Sequence, residues 1–230
     1  MNELRLPGAR AVFSTREGGV SEGPYRSLNL GILTDDQPES VRENRGRLAG
    51  RIGLQRERIA MGWQVHGNEL LEWDGPPEPG AVLERVDGHL TTQAGLGLLV
   101  LVADCYPVAL AGGGRAAMLH CGWRGLAGGI VARAVERFAE PPAAAVGPGI
   151  GGCCYEVGQE ALEAFRHVEG AADGRMLDLR VVVSHELAAA GVERVEHIDH
   201  CTSCREELYF SHRRDHGVTG RQCGLVVLDA

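Results

Sequence analysis

Three short apolar runs in this sequence each end on a chemically capable residue and then meet a chain breaker. Ile59–Val65 runs into His66 and Gly67. Leu98–Ala103 runs into Asp104 and Cys105, with Pro107 close behind. Ala116–Leu119 runs into His120, with Gly122 next. Runs of this length suit buried strands. A strand fixes the Cα of its last residue, and the turn beyond it opens room for a substrate. The pattern therefore asks for a sheet-rich scaffold with reactive side chains gathered at strand ends.

The remaining apolar spacing predicts further strands at Ala11–Ser14, Gly97–Val102, Val108–Ala111, Ala143–Val146, Val195–Ile198 and Gly224–Leu228. Helical spacing marks Pro38–Gly50, Leu126–Ala139, Gln159–His167 and Asp178–Ala190. Strands and helices mix without strict alternation, which points to an α+β fold rather than a regular parallel sheet. The turn-rich stretch Trp73–Gly80 is too short to separate domains, so one domain over residues 1–230 is expected. A chain of this length buries a core without help from disulfides. No stretch approaches the ~20 apolar residues of a membrane span, and the first residues lack a signal peptide's apolar core. A cytoplasmic protein with no membrane partner is expected. The net charge of −8 weighs against a nucleic-acid partner, since backbone binding needs basic surface. Seven cysteines in such a chain read as thiols rather than as a disulfide framework.

All 23 Lys+Arg residues are arginine. The absence of lysine excludes a Schiff-base lysine and a lysine-bearing phosphate loop. An anionic substrate must then be held by Arg, by backbone N–H groups or by a metal.

Two imidazoles and a thiolate at His66, Cys105 and His120 make a sensible ligand set for zinc. Three protein ligands leave the fourth position open to water or substrate. On residues alone two other readings stand beside it. A strand-end His is commonly a hydrogen-bonded structural residue, and a Cys in an apolar strand is commonly inert packing. A third option uses Cys105 as a nucleophile with His120 as its base.

The segments Ser14–Gly31 (STREGGVSEGPYRSLNLG), Trp63–Gly67 (WQVHG), Ala103–Val108 (ADCYPV), His120–Ile130 (HCGWRGLAGGI), Gly147–Gly158 (GPGIGGCCYEVG) and Cys201–Arg221 (CT…YFSHRRD…TGR) resemble the laccase-domain, or YfiH-like, family, in the family's order. The resemblance implies a layered α/β/β/α fold with mixed sheets. It also implies His66, Cys105 and His120 as metal ligands and catalytic residues, with zinc as the cofactor and copper as the alternative ion. Activities in that family include copper-dependent polyphenol oxidation and phosphorolysis of adenosine, inosine, guanosine or methylthioadenosine, with adenosine deamination. Bacterial relatives are also linked to peptidoglycan editing.

The residues weigh between these chemistries. A multicopper oxidase needs many histidines, several in His-x-His pairs; here there are nine His and no such pair. Phosphorolysis asks for less: small-molecule nucleoside and phosphate as partners, and arginine to hold the phosphate. Arg124, between glycines four residues after His120, is the first candidate, with Arg45 and Arg16 next. The glycine-rich loop at Gly147–Gly158 either cradles an anion on its N–H groups or is a plain turn. A monomer or weak dimer is expected. The alternative class is a cysteine hydrolase acting on an amide such as a peptidoglycan precursor.

Four subsidiary expectations follow. Cys121 stands where the family usually has a small residue, and strand alternation turns it away from His120 as a packing thiol. Asp104 turns away from Cys105 in the same way and suits a supporting role. Cys153 and Cys154 read as packing or oxidation-sensitive thiols. A second metal site at Cys201-x-x-Cys204 is not expected, because the one close pair to complete it is the adjacent Cys153-Cys154.

Overall fold

The computed structural model describes residues 1–229. Its strands are β1 (Asn2–Leu6), β2 (Ala9–Phe13), β3 (Ile59–Ala60), β4 (Leu70–Trp73), β5 (Gly88–Thr91), β6 (Gly97–Val102), β7 (Tyr106–Gly112), β8 (Arg115–Cys121), β9 (Ala143–Val146), the small hairpin β10 (Ala172–Asp173) and β11 (Met176–Leu177), β12 (Val195–His197) and β13 (Gln222–Leu228). The α-helices are α1 (Pro38–Ile52), α2 (Trp123–Ala127), α3 (Ile130–Val135), α4 (Gln159–Ala164) and α5 (Leu179–Ala189). One mixed sheet has the order β1-β2-β13-β6-β3, with only the β3–β6 pair parallel. The other has the order β12-β9-β7-β8-β5-β4, parallel at its two outer pairs and antiparallel within.

Strand alternation builds the layers. Ala11, Phe13, Leu98, Val100, Val226, Ala109, Met118 and Ala145 meet in one cluster between the two sheets. Their neighbours Val12, Leu99, Leu225 and Val227 face the other way and pack on Leu48 and Ile52 of α1. On the far sheet Val108, Leu110, Leu119 and Val146 face outward onto α3 and α5 through Ile130, Val131, Val182 and Leu187. The result is the expected α/β/β/α arrangement. Because both faces of the central strands are covered, those strands read as near-continuous apolar runs. The layer between the sheets is rich in alanine, which lets the two backbones approach closely.

The structure corrects several expected boundaries. The helix expected over Leu126–Ala139 is two short helices, α2 and α3. Gly129, at φ 76°, breaks the helix between them with a left-handed backbone. The strand expected over Ile59–Val65 ends at Ala60; beyond it Trp63 N–H donates to the Glu84 carbonyl oxygen at 2.8 Å and Val65 N–H to a side chain described below. Strands β1, β4 and β5 were not marked by apolar spacing; the outward positions of β1 are half-buried or exposed. The last helix begins as expected, with the Asp178 carboxylate accepting from Arg180 N–H at 2.9 Å. Among the described residues, no helix is long and apolar enough to cross a membrane.

Candidate active site

Cys105 sits in the turn between β6 and β7, and His120 lies near the end of β8. Pro107 of β7 pairs with His120, so the hairpin brings Cys105 beside the imidazole. His66 arrives separately, on the irregular loop that follows β3. Its backbone is left-handed, at φ 60°.

What holds that loop is Asp87, which precedes β5. Its carboxylate accepts the backbone N–H groups of Val65 at 3.1 Å, His66 at 2.9 Å and Gly67 at 2.7 Å. These amides are therefore satisfied by a side chain and not by a neighbouring strand, which holds the end of the run and His66 outside the sheet. Gln64 adds a second anchor by exchanging two hydrogen bonds with the Leu101 backbone, at 2.7 and 2.8 Å. Gly125 of α2 packs so close that a Cβ there would lie 2.7 Å from the Gly67 carbonyl oxygen.

The same Asp87 orients His120. Nδ1 of His120 lies 2.7 Å from Asp87 Oδ1 with both side chains buried. Burial works against the charged Asp87 carboxylate. The hydrogen bond and charge of His120, with the backbone donors, outweigh it and hold the carboxyl below its usual range. An ionised carboxylate only accepts, so the proton is on Nδ1 and Nε2 is left for another partner.

That partner region contains Cys105 and His66. The ligand-capable atoms of His66, Cys105 and His120 all lie within 4.8 Å of one another. The two imidazole rings meet edge to face, with centroids 4.8 Å apart. Burial pushes the Cys105 thiol up, but His120 and His66 overcome it and bring it down to about 6. Burial likewise opposes the charged His120, and Cys105 and Asp87 overcome it, raising the imidazole to about 9. A thiolate and two imidazoles in this arrangement are the donor set of a zinc or copper ion. Gly122 clears the space: a Cβ there would lie 3.1 Å from both Cys105 Sγ and His66 Cδ2.

The three residues line a cavity of about 460 Å³. Its lining includes Trp63, Trp123 and Tyr155, together with the exposed Ile32 and Leu33. Three arginines reach it: Arg124, Arg213 and Arg221. Arg124 stacks on the Trp123 ring, 4.3 Å from its centroid, and Arg213 stacks on Tyr155 at 4.9 Å.

The other expected arginines lie elsewhere. Arg45 lines a separate hollow with Leu48, Arg56 and Leu99. Its Nε donates to the Leu30 carbonyl oxygen at 2.9 Å, while Nη2 is buried without a partner. Arg16 faces a shallow surface hollow with Glu206 and Glu207. It donates to the carbonyl oxygens of Arg26 and Glu206, and its guanidinium covers the Phe210 ring. Both are committed to local structure and do not line the cavity of His66, Cys105 and His120.

Cys121 packs in the outer core, as alternation from His120 requires. Asp104 accepts the Thr202 hydroxyl at 2.6 Å and Arg213 N–H at 2.7 Å, a supporting role. Residues that the sequence reading passed over are Asp87, Gln64, Arg213 and Arg221. The last two lie within the recognised stretch Cys201–Arg221, and in a chain without lysine its arginines were available as a signal.

The family model described as multi-copper polyphenol oxidoreductase laccase matches residues 10–229. A Corynebacterium glutamicum protein named purine nucleoside phosphorylase is 39% identical, over 95% of this chain and 94% of its own length. The Escherichia coli purine nucleoside phosphorylase YfiH is 38% identical, over 99% of this chain and all of its own length. The crystal structure of YlmD from Geobacillus stearothermophilus superposes with a TM-score of 0.89 at 34% identity, covering 97% of this chain and 93% of that one.

Proposed function

The chain belongs to the laccase-domain family of multi-copper polyphenol oxidoreductases, and on that footing we propose that it is a zinc-dependent purine nucleoside phosphorylase and not an oxidase of phenols. The observation that carries this reading is the convergence of His66, Cys105 and His120 with three guanidinium groups on one cavity. The chain has no lysine, so phosphate falls to those arginines. Its curated relatives bearing the phosphorylase name support the same assignment.

Phosphorolysis joins a phosphate oxygen to the ribose C1′ while the bond from C1′ to the purine nitrogen breaks. The base leaves with the bonding electrons and takes up the proton that the attacking hydrogen phosphate gives up, while positive charge builds on the sugar. Arg124, Arg213 and Arg221 bind and orient the phosphate dianion, which removes the entropy cost of assembling two reactants. Trp63, Trp123 and Tyr155 offer flat surfaces for a purine. His120 keeps its proton on Nδ1, donating it to the Asp87 carboxylate in a hydrogen bond, and leaves Nε2 for Cys105 and the cavity. A zinc ion held by His66, Cys105 and His120 would supply Lewis acidity at this point, with copper the alternative ion for the same donors. Adenosine, inosine, guanosine and methylthioadenosine are the substrates assigned, and deamination of adenosine is a second activity of the same cavity.

The experiment is a nucleoside panel with phosphate. Free base and the sugar 1-phosphate are expected from each substrate, and inosine from adenosine alone. The absence of all these products overturns the reading. Zinc dependence fails separately if zinc-free protein is fully active and chelators have no effect.

One observation favours a second reading. Asp87, His120 and Cys105 stand in the order orienter, base and thiol, as a cysteine hydrolase requires. That enzyme would hydrolyse an amide without any metal and lose activity in Cys105→Ser.

A further inference from the structure

Four cysteines outside the cavity come together on the surface. Cys153 and Cys154 follow the Gly151-Gly152 turn, and Cys201 and Cys204 lie beyond β12, where Gly149 and Cys201 form an isolated bridge. The sulfur atoms of all four lie within 4.8 Å of one another. Cys154 and Cys204, 50 residues apart in sequence, have their sulfurs 3.4 Å apart. The Cys153–Cys204 separation is 3.6 Å, and Cys153–Cys154 is 3.7 Å. The adjacency that argued against Cys153-Cys154 as a ligand pair is no obstacle, because the turn lets both sulfurs face the Cys201-x-x-Cys204 segment.

We propose that Cys153, Cys154, Cys201 and Cys204 form a second, structural metal site for a zinc ion, distinct from the cavity. A tetrahedral ion with metal–sulfur bonds of about 2.3 Å sets its sulfurs roughly 3.8 Å apart, close to the spacing seen. The same separations are far beyond the bond length of about 2.05 Å in a disulfide. All four ligands come from the protein, the closed shell of a structural rather than a catalytic zinc.

One backbone amide already donates to a sulfur of the cluster. Gly151 N–H donates to Cys201 Sγ at 3.2 Å. Gly151 also leaves room: a Cβ there would lie 3.3 Å from Cys153 Sγ and from Cys201 Cβ. Arg214 braces the turn by donating to the Thr202 and Ser203 carbonyl oxygens at 3.0 and 3.4 Å. Cys153 is exposed and Cys154 half-buried, so of the two expectations for them, packing or oxidation-sensitive thiols, packing in the core does not hold.

The site ties together two segments that wall the cavity. Tyr155 follows Cys154 and lines it. Thr202 follows Cys201 and fixes Asp104 beside Cys105. The ion therefore staples the wall on which Cys105 and Arg213 are placed.

The test is metal content of the full chain, purified under reducing conditions in the presence of zinc. Wild type should hold two equivalents, His66→Ala/His120→Ala one, and Cys153→Ser/Cys204→Ser one. As a second measurement, Co²⁺ added to metal-free His66→Ala/His120→Ala should give the intense visible bands of a tetrahedral ion with thiolate charge transfer, even if the cysteine variant does not fold. A His66→Ala/His120→Ala protein that binds no zinc and gives only the weak spectrum of octahedral Co²⁺ overturns the proposal. So does mass analysis of that protein showing the four cysteines paired as disulfides.

Discussion

Asp87 does at the scale of one residue what the three reactive residues cannot do for themselves. Its carboxylate binds three successive backbone amides of the His66 loop and the Nδ1 of His120. Asp87→Asn replaces one acceptor oxygen with a donor, so at least one of those bonds is lost. Zinc affinity should fall by about 10–100-fold, measured by competition with a chromogenic chelator. Cys105 makes a second prediction. In metal-free protein its thiolate predominates above pH about 6, instead of the ~8.5 of a free cysteine. Alkylation by iodoacetamide, followed by peptide mass spectrometry, should reach half its plateau rate near that pH. His120→Ala should move the midpoint upward, since the opposing charge is gone. Cys121, fully buried and pushed up by burial, should stay unlabelled throughout.

Individual elements show where sequence and structure part. Cys105 and His120 were legible because local strand rules place them: an apolar run, an end, a breaker. His66 was legible as a residue but not as a conformation. Its loop is shaped by a carboxylate 20 to 22 residues away in sequence, which no periodicity reveals. Arg45 misled because an arginine on the surface of a helix looks free in sequence, while the bond from this residue of α1 to the Leu30 carbonyl is a tertiary event. The α2–α3 break was signalled by Gly128-Gly129, which apolar spacing alone overrode. Helix α1 offers a clean measurement. Gly50 is exposed within it, and a Cβ there would meet nothing within 4 Å. Gly50→Ala should therefore stabilise the protein by about 0.5–1 kcal/mol in urea unfolding.

The whole molecule is governed by the thin layer between its sheets. The layered fold was legible only through resemblance, because alternation says which faces are buried and not which sheet covers them. The structure supplies the missing pairing: β13 joins β2 to β6, and β7 joins β9 to β8. The small side chains at Ala109, Ala111, Ala116, Ala143 and Ala145 set the spacing of the sheets. Ala145→Leu should thus cost about 1–3 kcal/mol through overpacking, read as a lower urea midpoint. The cavity should respond too, since His120 rides on one sheet, the Gln64 anchor grips the other, and Cys105 sits in the connection between them.

The double duty of Asp87 has one more consequence. The order of the His66 loop and the orientation of His120 depend on the same two oxygens, so they cannot vary independently. An ion bound by both imidazoles and a loop that stays closed are then reciprocal quantities: each must favour the other by the same factor. Amide hydrogens at Val65, His66 and Gly67 become a gauge of site occupancy, exchanging more slowly in proportion as zinc is bound. A substitution far away that loosens this loop would weaken metal affinity without touching a ligand.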